Sequence, residues 1–414
     1  MAARAATGPA HVAVVSFLAA RAAPTGGFWI ALAGGVALAR VAERRGARLG
    51  FGASAAAMLE TVAIIGPARL GVPLTQAVSA PILGRLHARG VGFWRQLLAC
   101  ATVRLLHNAA TTAFFIWVIT GGLDAYAGTY DAVGRRVGIE VGTADALALT
   151  LAGLLVWAAF ASTVQVLVYR RGLRTWPLIE GSTAAPTEAP PAQVREKRGV
   201  IRNDRLSPGR FDPRMAAAAA VVAFVLLLSS TAWALLAAVL CWLSLAWLLS
   251  RPDREPIPAG LLFAALLAGG AFVFALGGGL GLDTALRRAG RAALLVLVAT
   301  WLRSAARAIG LREVSRRVLG RLRRVPSAPE ASEVLDAIAS EGRLASAGRA
   351  LAARLSEAPK RPAALLDGVL AWVIGETGTY EPQAPAAPMQ LRARAIDYAL
   401  LASAAAPTLA LALA

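Results

Sequence analysis

The 414-residue chain has few charged residues, few cysteines and few histidines, and each shortage excludes a class of protein. Only 16% of its residues are charged, whereas a soluble domain carries about 25%. The two cysteines, Cys100 and Cys241, lack the spacing of a disulfide framework or a zinc site. The three histidines are scattered, and neither a phosphate-binding glycine loop nor a nucleophile-elbow motif is present, which argues against a hydrolase or an ATPase.

What the chain has instead is apolar residues and arginine. Hydrophobic residues make up 57% of the sequence and the net charge is +19, with lysine only at positions 197 and 360. The positive charge lies mostly between apolar segments, as the positive-inside rule gives for cytoplasmic loops. Basic motifs interleaved with aromatic residues are missing, so nucleic acid is not an expected partner. The composition indicates a protein that crosses the lipid bilayer several times.

Residues 1–171 form the first half of the chain and predict a membrane domain of about six spans. A membrane helix needs about 20 apolar residues. The candidate spans are 9–23, 27–41, 51–66, 72–85, 97–121 and 143–169. The earliest resembles a signal peptide, but further spans follow, so we expect it to be retained. Basic loops at 40–48 and 85–95 predict a cytoplasmic N-terminus in a bacterial-type inner membrane.

Residues 172–213 predict a polar linker rich in proline and arginine. The second half, 214–414, follows, with candidate spans at 215–231, 233–250, 259–281, 285–303 and 395–413. Between the last two, residues 304–390 predict cytoplasmic amphipathic helices, the clearest being Leu311–Arg324. The predicted fold class is all-α, a polytopic helical membrane protein of about eleven spans. Arg287, Arg288 and Arg291 fit poorly at the start of a span.

Three motifs of the second half stand in a recognisable order. Phe211-Asp212-Pro213-Arg214 lies directly before an apolar run, where a proline turn starts a helix and an arginine anchors it at the interface. Leu322-Arg323-Arg324-Val325-Pro326 ends the amphipathic helix, and Leu391–Asp397 leads into the final apolar segment. In this order and spacing, residues 205–414 resemble the transmembrane (T) component of energy-coupling factor transporters.

That resemblance implies a mechanical role. In such transporters separate ABC-type ATPase subunits bind ATP, coupling helices transmit their movement, and a substrate-binding (S) component releases a vitamin or metal ion inside the cell. This chain would then bind no cofactor itself. The residues that the resemblance assigns to ATPase contact are Arg349, Arg354, Arg323 and Arg324, and those of the family motifs are Asp212, Pro213, Arg214 and Pro326. The family's Ala-Arg-Gly coupling motif is replaced by Ala353-Arg354-Leu355 and Gly348-Arg349-Ala350.

Polar residues inside predicted spans are candidates for function. Glu60 lies in the third span, and Arg104, His107 and Asn108 lie in the fifth at a spacing that shares one helix face. They predict a Glu60–Arg104 ion pair or a small intramembrane polar site. The alternative is that Arg104 reaches the cytoplasmic surface and the others form hydrogen bonds between helices.

Several functions stay open on the sequence alone. The six spans of the first half equal the number in an S component, so a fusion of S-like and T-like parts is one hypothesis. A membrane scaffold or receptor without transport activity is another. A membrane-embedded transferase using Glu60, His107 and Asn108 is a third. The T-component resemblance makes a non-enzymatic transport subunit the leading expectation.

Overall fold

The computed structural model describes residues 2–22, 27–67, 71–183, 209–322, 324–338, 341–357, 361–382 and 389–408. Within these ranges all regular structure is helical, which confirms the predicted all-α class. The α-helices are α1 (Ala2–Ala22), α2 (Gly27–Arg45), α3 (Ala47–Ile65), α4 (Gly71–Ala88), α5 (Phe93–Phe114), α6 (Leu123–Arg135), α7 (Thr143–Thr183), α8 (Pro213–Ser229), α9 (Trp233–Ser250), α10 (Ile257–Gly277), α11 (Gly281–Arg321), α12 (Ala328–Ala337), α13 (Glu341–Glu357), α14 (Pro362–Thr379) and α15 (Ala395–Ala405). A π-helical segment, Phe115–Thr120, continues α5.

Six helices of the described ranges are long and apolar enough to cross a bilayer, namely α3, α5 with its π-helical extension, α7, α9, α10 and α11. Helices α8 and α15 are apolar but shorter. Several of these helices turn large apolar side chains outward, such as Val156, Leu248 and Leu262. Apolar patches of this extent belong against lipid rather than water. The protein is therefore membrane-embedded, and the eleven crossings predicted from the sequence stay a prediction.

Helix α7 shows how far the lipid contact extends. Its 41 residues make it about 61 Å long at 1.5 Å per residue, about twice the hydrocarbon thickness of a bilayer. Its exposed large apolar side chains lie between Leu147 and Leu167, a length of about 30 Å. The helix then carries Arg170, Arg171 and Arg174 and packs on first-half helices. The end of α7 therefore extends beyond the lipid.

Two large buried clusters and a small third one, formed by Ile119, Ala271 and Ala292, hold the described helices together. The first core packs α1–α4 and the end of α7 against α12–α14, with Phe17, Trp176 and Val373 among its buried side chains. The second core packs α8, α9, α11 and α15, where the Trp242 and Trp301 rings lie 5.4 Å apart. Helices α12–α14, predicted as part of a cytoplasmic coupling domain, thus share a core with the first half of the chain.

Small residues allow the helices of the first core to approach closely. A Cβ atom added at Gly84 of α4 would overlap the carbonyl oxygen of Ala39 in α2. A Cβ atom at Gly35 of α2 would overlap the hydroxyl of Tyr169 in α7. Glycine is required at both positions because each neighbour is itself buried and held in place.

Helix α11 bends sharply within its 41 residues. Arg307 has φ 57° and ψ 166°, a non-helical conformation that interrupts the helix. The bend falls between the predicted span 285–303 and the predicted amphipathic helix that starts at Leu311. Beyond it, Leu311 and Leu319 are buried while Arg321 is exposed, as an amphipathic helix requires.

The two ends of the predicted linker, 172–213, join described helices. Residues 172–183 continue α7 as helix, and residues 209–212 lead into α8. Helix continues because this part of α7 still buries apolar side chains, including Leu173 and Trp176, in the first core. Residues 184–208 lie outside the described residues.

Candidate functional site

A cluster of charged residues surrounds the bend of α11, where helices of both halves meet. We call it the junction and define it by its acidic and basic members: Glu60, Asp212, Arg214, Asp253, Arg303, Arg312, Glu313, Arg317 and Asp397. Most of these side chains are buried or half-buried. Buried charges require partners, and each of these has one.

Glu60 and Arg312 form the central ion pair of the junction. The carboxylate of Glu60 accepts a hydrogen bond from Nε of Arg312 at 2.7 Å and a second from Nη2. This bidentate geometry is the strongest form of an arginine–carboxylate pair. Glu60 is completely buried, whereas the Arg312 side chain is 24% exposed. The pair joins α3 of the first half to the amphipathic part of α11.

The Glu60–Arg104 ion pair expected from the sequence does not form. Arg104 is buried on the side of α5 that faces α7, and its Nη2 donates to Oε1 of Gln165 at 2.7 Å. Gln165 in turn donates from Nε2 to Oγ of Ser79 at 2.6 Å. His107 and Asn108 follow Arg104 on α5 and are half-buried. Of the four predicted polar residues, Glu60 therefore lies at the junction and Arg104 lies in a separate network between helices.

Arg303 fastens the end of α3 to the loop after α9. Its Nε donates to the carbonyl oxygen of Ile64 at 2.6 Å, and its Nη1 donates to Oδ2 of Asp253 at 3.3 Å. The amide of Asp253 donates to the carbonyl oxygen of Ser304 at 3.0 Å. A cation at a helix C-terminus satisfies carbonyl groups that the helix leaves unpaired. This is a second contact between the two halves of the chain, and α11 again supplies one of the partners.

The Asp212-Pro213-Arg214 motif builds the start of α8. Asp212 is the N-cap and accepts from the amide of Arg214 at 2.9 Å and from its Nη2 at 2.8 Å, an arrangement that suits a helix with proline at its first position. The amide of Asp212 donates to Oδ1 of buried Asp397 at 2.7 Å, which joins α8 to α15. Burial raises the pKa of Asp212, but the hydrogen bonds from Arg214 outweigh it and hold that pKa below its ordinary value.

Glu313 and its partner Arg317 connect the junction to the chain segment before α15. Its carboxylate accepts from Nε of Arg316 at 3.1 Å and from Nε of Arg317 at 2.8 Å. Arg317 also donates from Nη2 to the carbonyl oxygen of Met389 at 3.1 Å. Sequence reasoning did not select Glu313, Asp397 or Arg312 as site residues. The high density of arginine in Leu311–Arg324 is the sequence signal that could have indicated them, because buried arginines need acidic partners.

Three of the four residues predicted to contact an ATPase, Arg324, Arg349 and Arg354, lie on the surface of the protein. Arg349 and Arg354 are exposed on α13, whose apolar residues Leu344 and Leu351 are buried in the first core. Arg324 and Pro326 are exposed in the turn before α12. Arg323 lies outside the described residues.

Ion pairs fasten α12 and α14 to the first half. Nε of Arg48 on α3 lies 2.5 Å from Oε1 of Glu330 on α12. Nη2 of Arg171 on α7 lies 2.9 Å from Oδ2 of Asp367 on α14. These ion pairs help to fix the orientation of α12 and α14, which apolar packing in the first core holds in place. Helices α12 and α14 are therefore held on the first half by ion pairs as well as by burial, and α13 by burial.

The arginines at the start of α11 have a structural explanation. Arg291 donates to the carbonyl oxygen of Val118, and the Arg288 guanidinium packs against Gly121. Both contacts lie at the C-terminal end of the π-helical segment, where cations are favourable. Arg287 forms an ion pair with Asp283. Arg287 and Arg291 thus have partners within the protein, whereas Nη1 of Arg288 is buried without a hydrogen bond to any described residue.

In the part of the chain that the structure describes, no group of three or more His, Cys, Asp or Glu side chains is placed to hold a metal ion. The chain matches no known protein-family model, no curated protein and no solved structure. A proposal about function must therefore start from the geometry of the junction. Its charged residues join helices of the two halves to one another.

Proposed function

We propose that this chain is the transmembrane coupling subunit of an ATP-driven importer for a vitamin or metal ion. Separate ABC-type ATPases would hold the ATP, and a substrate-binding S component, or the first half acting as one, would hold the cargo. In this proposal the chain crosses a bacterial-type inner membrane about eleven times. Its N-terminus and α12–α14 face the cytoplasm, where the basic ends of α7 and α11 would also lie.

The Glu60–Arg312 pair is the observation that carries the proposal. Helix α11 runs from apolar Trp301 in the second core through the bend to Arg312. From there the ion pair leads to α3, and α3 packs on α12. A movement imposed on α12–α14 would therefore reach the membrane helices through a buried bidentate contact of fixed geometry.

The outward face of α13 supports the same proposal. Arg349 and Arg354 stand there on a helix whose other face is held in the first core. A guanidinium group pairs bidentately with carboxylates, which suits an acidic groove on a partner protein. A helix fixed on one side and cationic on the other can take up force at that surface and pass it on.

Co-purification tests the proposal. The tagged chain, extracted from its native membrane in mild detergent, should bring an ABC-type ATPase with it. The double variant R349E/R354E should lose that ATPase, because two carboxylates would meet an acidic groove. The matched control is R136E/R254E, which makes the same change of charge at exposed positions outside α12–α14. Absence of any ATPase from the unmodified chain would overturn the proposal.

The docking of α12–α14 on the first core favours a second candidate, a membrane scaffold or receptor without transport activity. The exposed arginines of such a surface would bind anionic lipid, and this binding would weaken strongly as the salt concentration rises. The chain reconstituted in neutral vesicles would then tether phosphatidylserine vesicles at low salt and release them at high salt. Tethering without a co-purified ATPase would select this candidate over the first.

A further inference from the structure

A half-open cavity of about 230 Å³ lies away from the junction, between α1, α13 and the end of α14. Its wall carries one basic residue and two acidic ones, together with hydroxyl and aromatic side chains: Arg343, Glu376, Glu381, Ser346, Thr379, His11 and Tyr380. The volume is below the range of about 300–1,000 Å³ that is usual for drug-sized ligands. It suits a molecule of amino-acid size.

The aromatic part of the wall is rigid. His11 is 1% exposed and its ring stacks on Tyr380 with the centroids 4.6 Å apart. The hydroxyl of Tyr380 is fixed by donating to the carbonyl oxygen of Ala337 at 2.9 Å. Nδ1 of His11 is buried and has no hydrogen-bond partner among the residues described. An unmet buried polar group costs about 1–3 kcal/mol.

The charged residues of the cavity come from different parts of the chain, with Arg343 on α13, Glu376 on α14 and Glu381 just after α14. Arg343 of α13 donates from Nη1 to the carbonyl oxygen of Glu381 at 3.0 Å, which orients its guanidinium and leaves its other N–H groups for a ligand. Glu376 of α14 is half-buried, and its carboxylate forms no ion pair with any residue that the structure describes. Burial raises the pKa of Glu376 against the opposing charge of Arg354. A cationic group from outside would therefore stabilise this carboxylate.

We propose that this cavity binds a small zwitterion, whose carboxylate pairs with Arg343 and whose ammonium group pairs with Glu376 beside the Tyr380 ring. A guanidinium binds a carboxylate through two parallel hydrogen bonds. An ammonium group gains both from a carboxylate and from an aromatic face. The site belongs to the chain alone and does not depend on any ATPase, so it goes beyond the coupling role.

Calorimetric titration of the purified full chain in detergent tests the site. The probes are glycine, β-alanine, γ-aminobutyrate and 5-aminovalerate, which differ only in the separation of their charges. At least one should bind saturably. Butyrate and butylamine, each with one of the two charges of γ-aminobutyrate, should bind at least about tenfold more weakly than the best zwitterion. Equal binding of the single-charge compounds, or no binding by any zwitterion, would overturn the proposal.

Substitutions locate the binding in the cavity. Arg343→Gln and Glu376→Gln should each weaken the best zwitterion at least about tenfold, since each removes one charge pair. Arg361→Gln is the control, because Arg361 is exposed outside the cavity. Ser346→Trp provides a second route, since Ser346 is exposed on α13 and a bulky ring there fills the cavity without burying a charge. Unchanged affinity in the S346W variant would place the binding elsewhere and refute the proposal.

Discussion

Glu60 and Arg312 lie 252 positions apart in the chain, yet two nitrogen atoms of Arg312 donate to the two carboxylate oxygens of Glu60. The two partners differ in their access to water, because Glu60 is completely buried and the Arg312 side chain is 24% exposed. The consequences of removing one or the other are therefore unequal. Variants that remove one partner at a time can therefore test whether the ion pair stabilises the protein.

Arg312→Ala should destabilise the protein more than Glu60→Gln. The first variant leaves a buried carboxylate without its partner, which costs about 3–5 kcal/mol. The second leaves a guanidinium that can turn toward water, and about 1–3 kcal/mol is expected. Denaturant unfolding of the purified protein in detergent measures both, with exposed Arg321→Ala as control.

The double variant E60Q/R312A extends this test. It should be more stable than Arg312→Ala alone, because no buried charge is left unpaired. Equal losses from the two single variants, or additive losses in the double variant, would contradict the ion pair as the main source of stability at this position.

Arg307 should tolerate glycine better than alanine. In a regular helix alanine is more stable than glycine by about 1 kcal/mol. At φ 57° and ψ 166° the order reverses, because a Cβ atom adds strain of about 1–3 kcal/mol in such a conformation. Both variants lose the same guanidinium group, so their difference in unfolding free energy isolates the backbone. A more stable Arg307→Ala variant would mean that α11 is continuous.

Gly84→Ala and Gly348→Ala should have opposite effects. At Gly84 the added methyl group meets the Ala39 main chain, which cannot move aside, and about 1–3 kcal/mol of stability should be lost. At Gly348 on α13 the methyl group meets open space, and helix propensity should add up to about 1 kcal/mol. Thermal unfolding in one detergent compares the two. A neutral Gly84→Ala variant would show that α2 and α4 lie further apart.

Asp212 should make the protein sensitive to acid. Its pKa in the folded protein lies below the ordinary value because Arg214 outweighs the effect of burial, so its ionised form contributes stability at neutral pH. That contribution declines as the pH falls below about 3.9, the ordinary aspartate value, toward the lower folded pKa. Asp212→Asn keeps a helix cap but does not titrate, so its unfolding temperature should fall less between pH 5 and pH 3 (roughly the range of carboxylate titration). Parallel curves for both proteins would contradict the prediction.

Local sequence patterns were enough to predict the all-α class, most helix positions and a membrane-embedded protein. Hydropathy is a local property, so the apolar runs that became α9, α10 and α11 could be identified without any knowledge of their neighbours. The proline after Asp212 fixed the start of α8 in the same way, because a proline at the first helical position and an acidic cap act within one turn.

Which charges meet, and where α12–α14 dock, depend on how the helices pack in three dimensions. Glu60 and Arg104 both lie in apolar helices, but the face of α3 that bears Glu60 turns toward α11, while Arg104 turns toward α7. The apolar stripes of α12–α14 fit equally well a free arm, a lipid surface or a protein core, and burial in the first core followed from shape. Pairings between residues hundreds of positions apart depend on which helix faces turn toward each other. Local sequence patterns do not specify this.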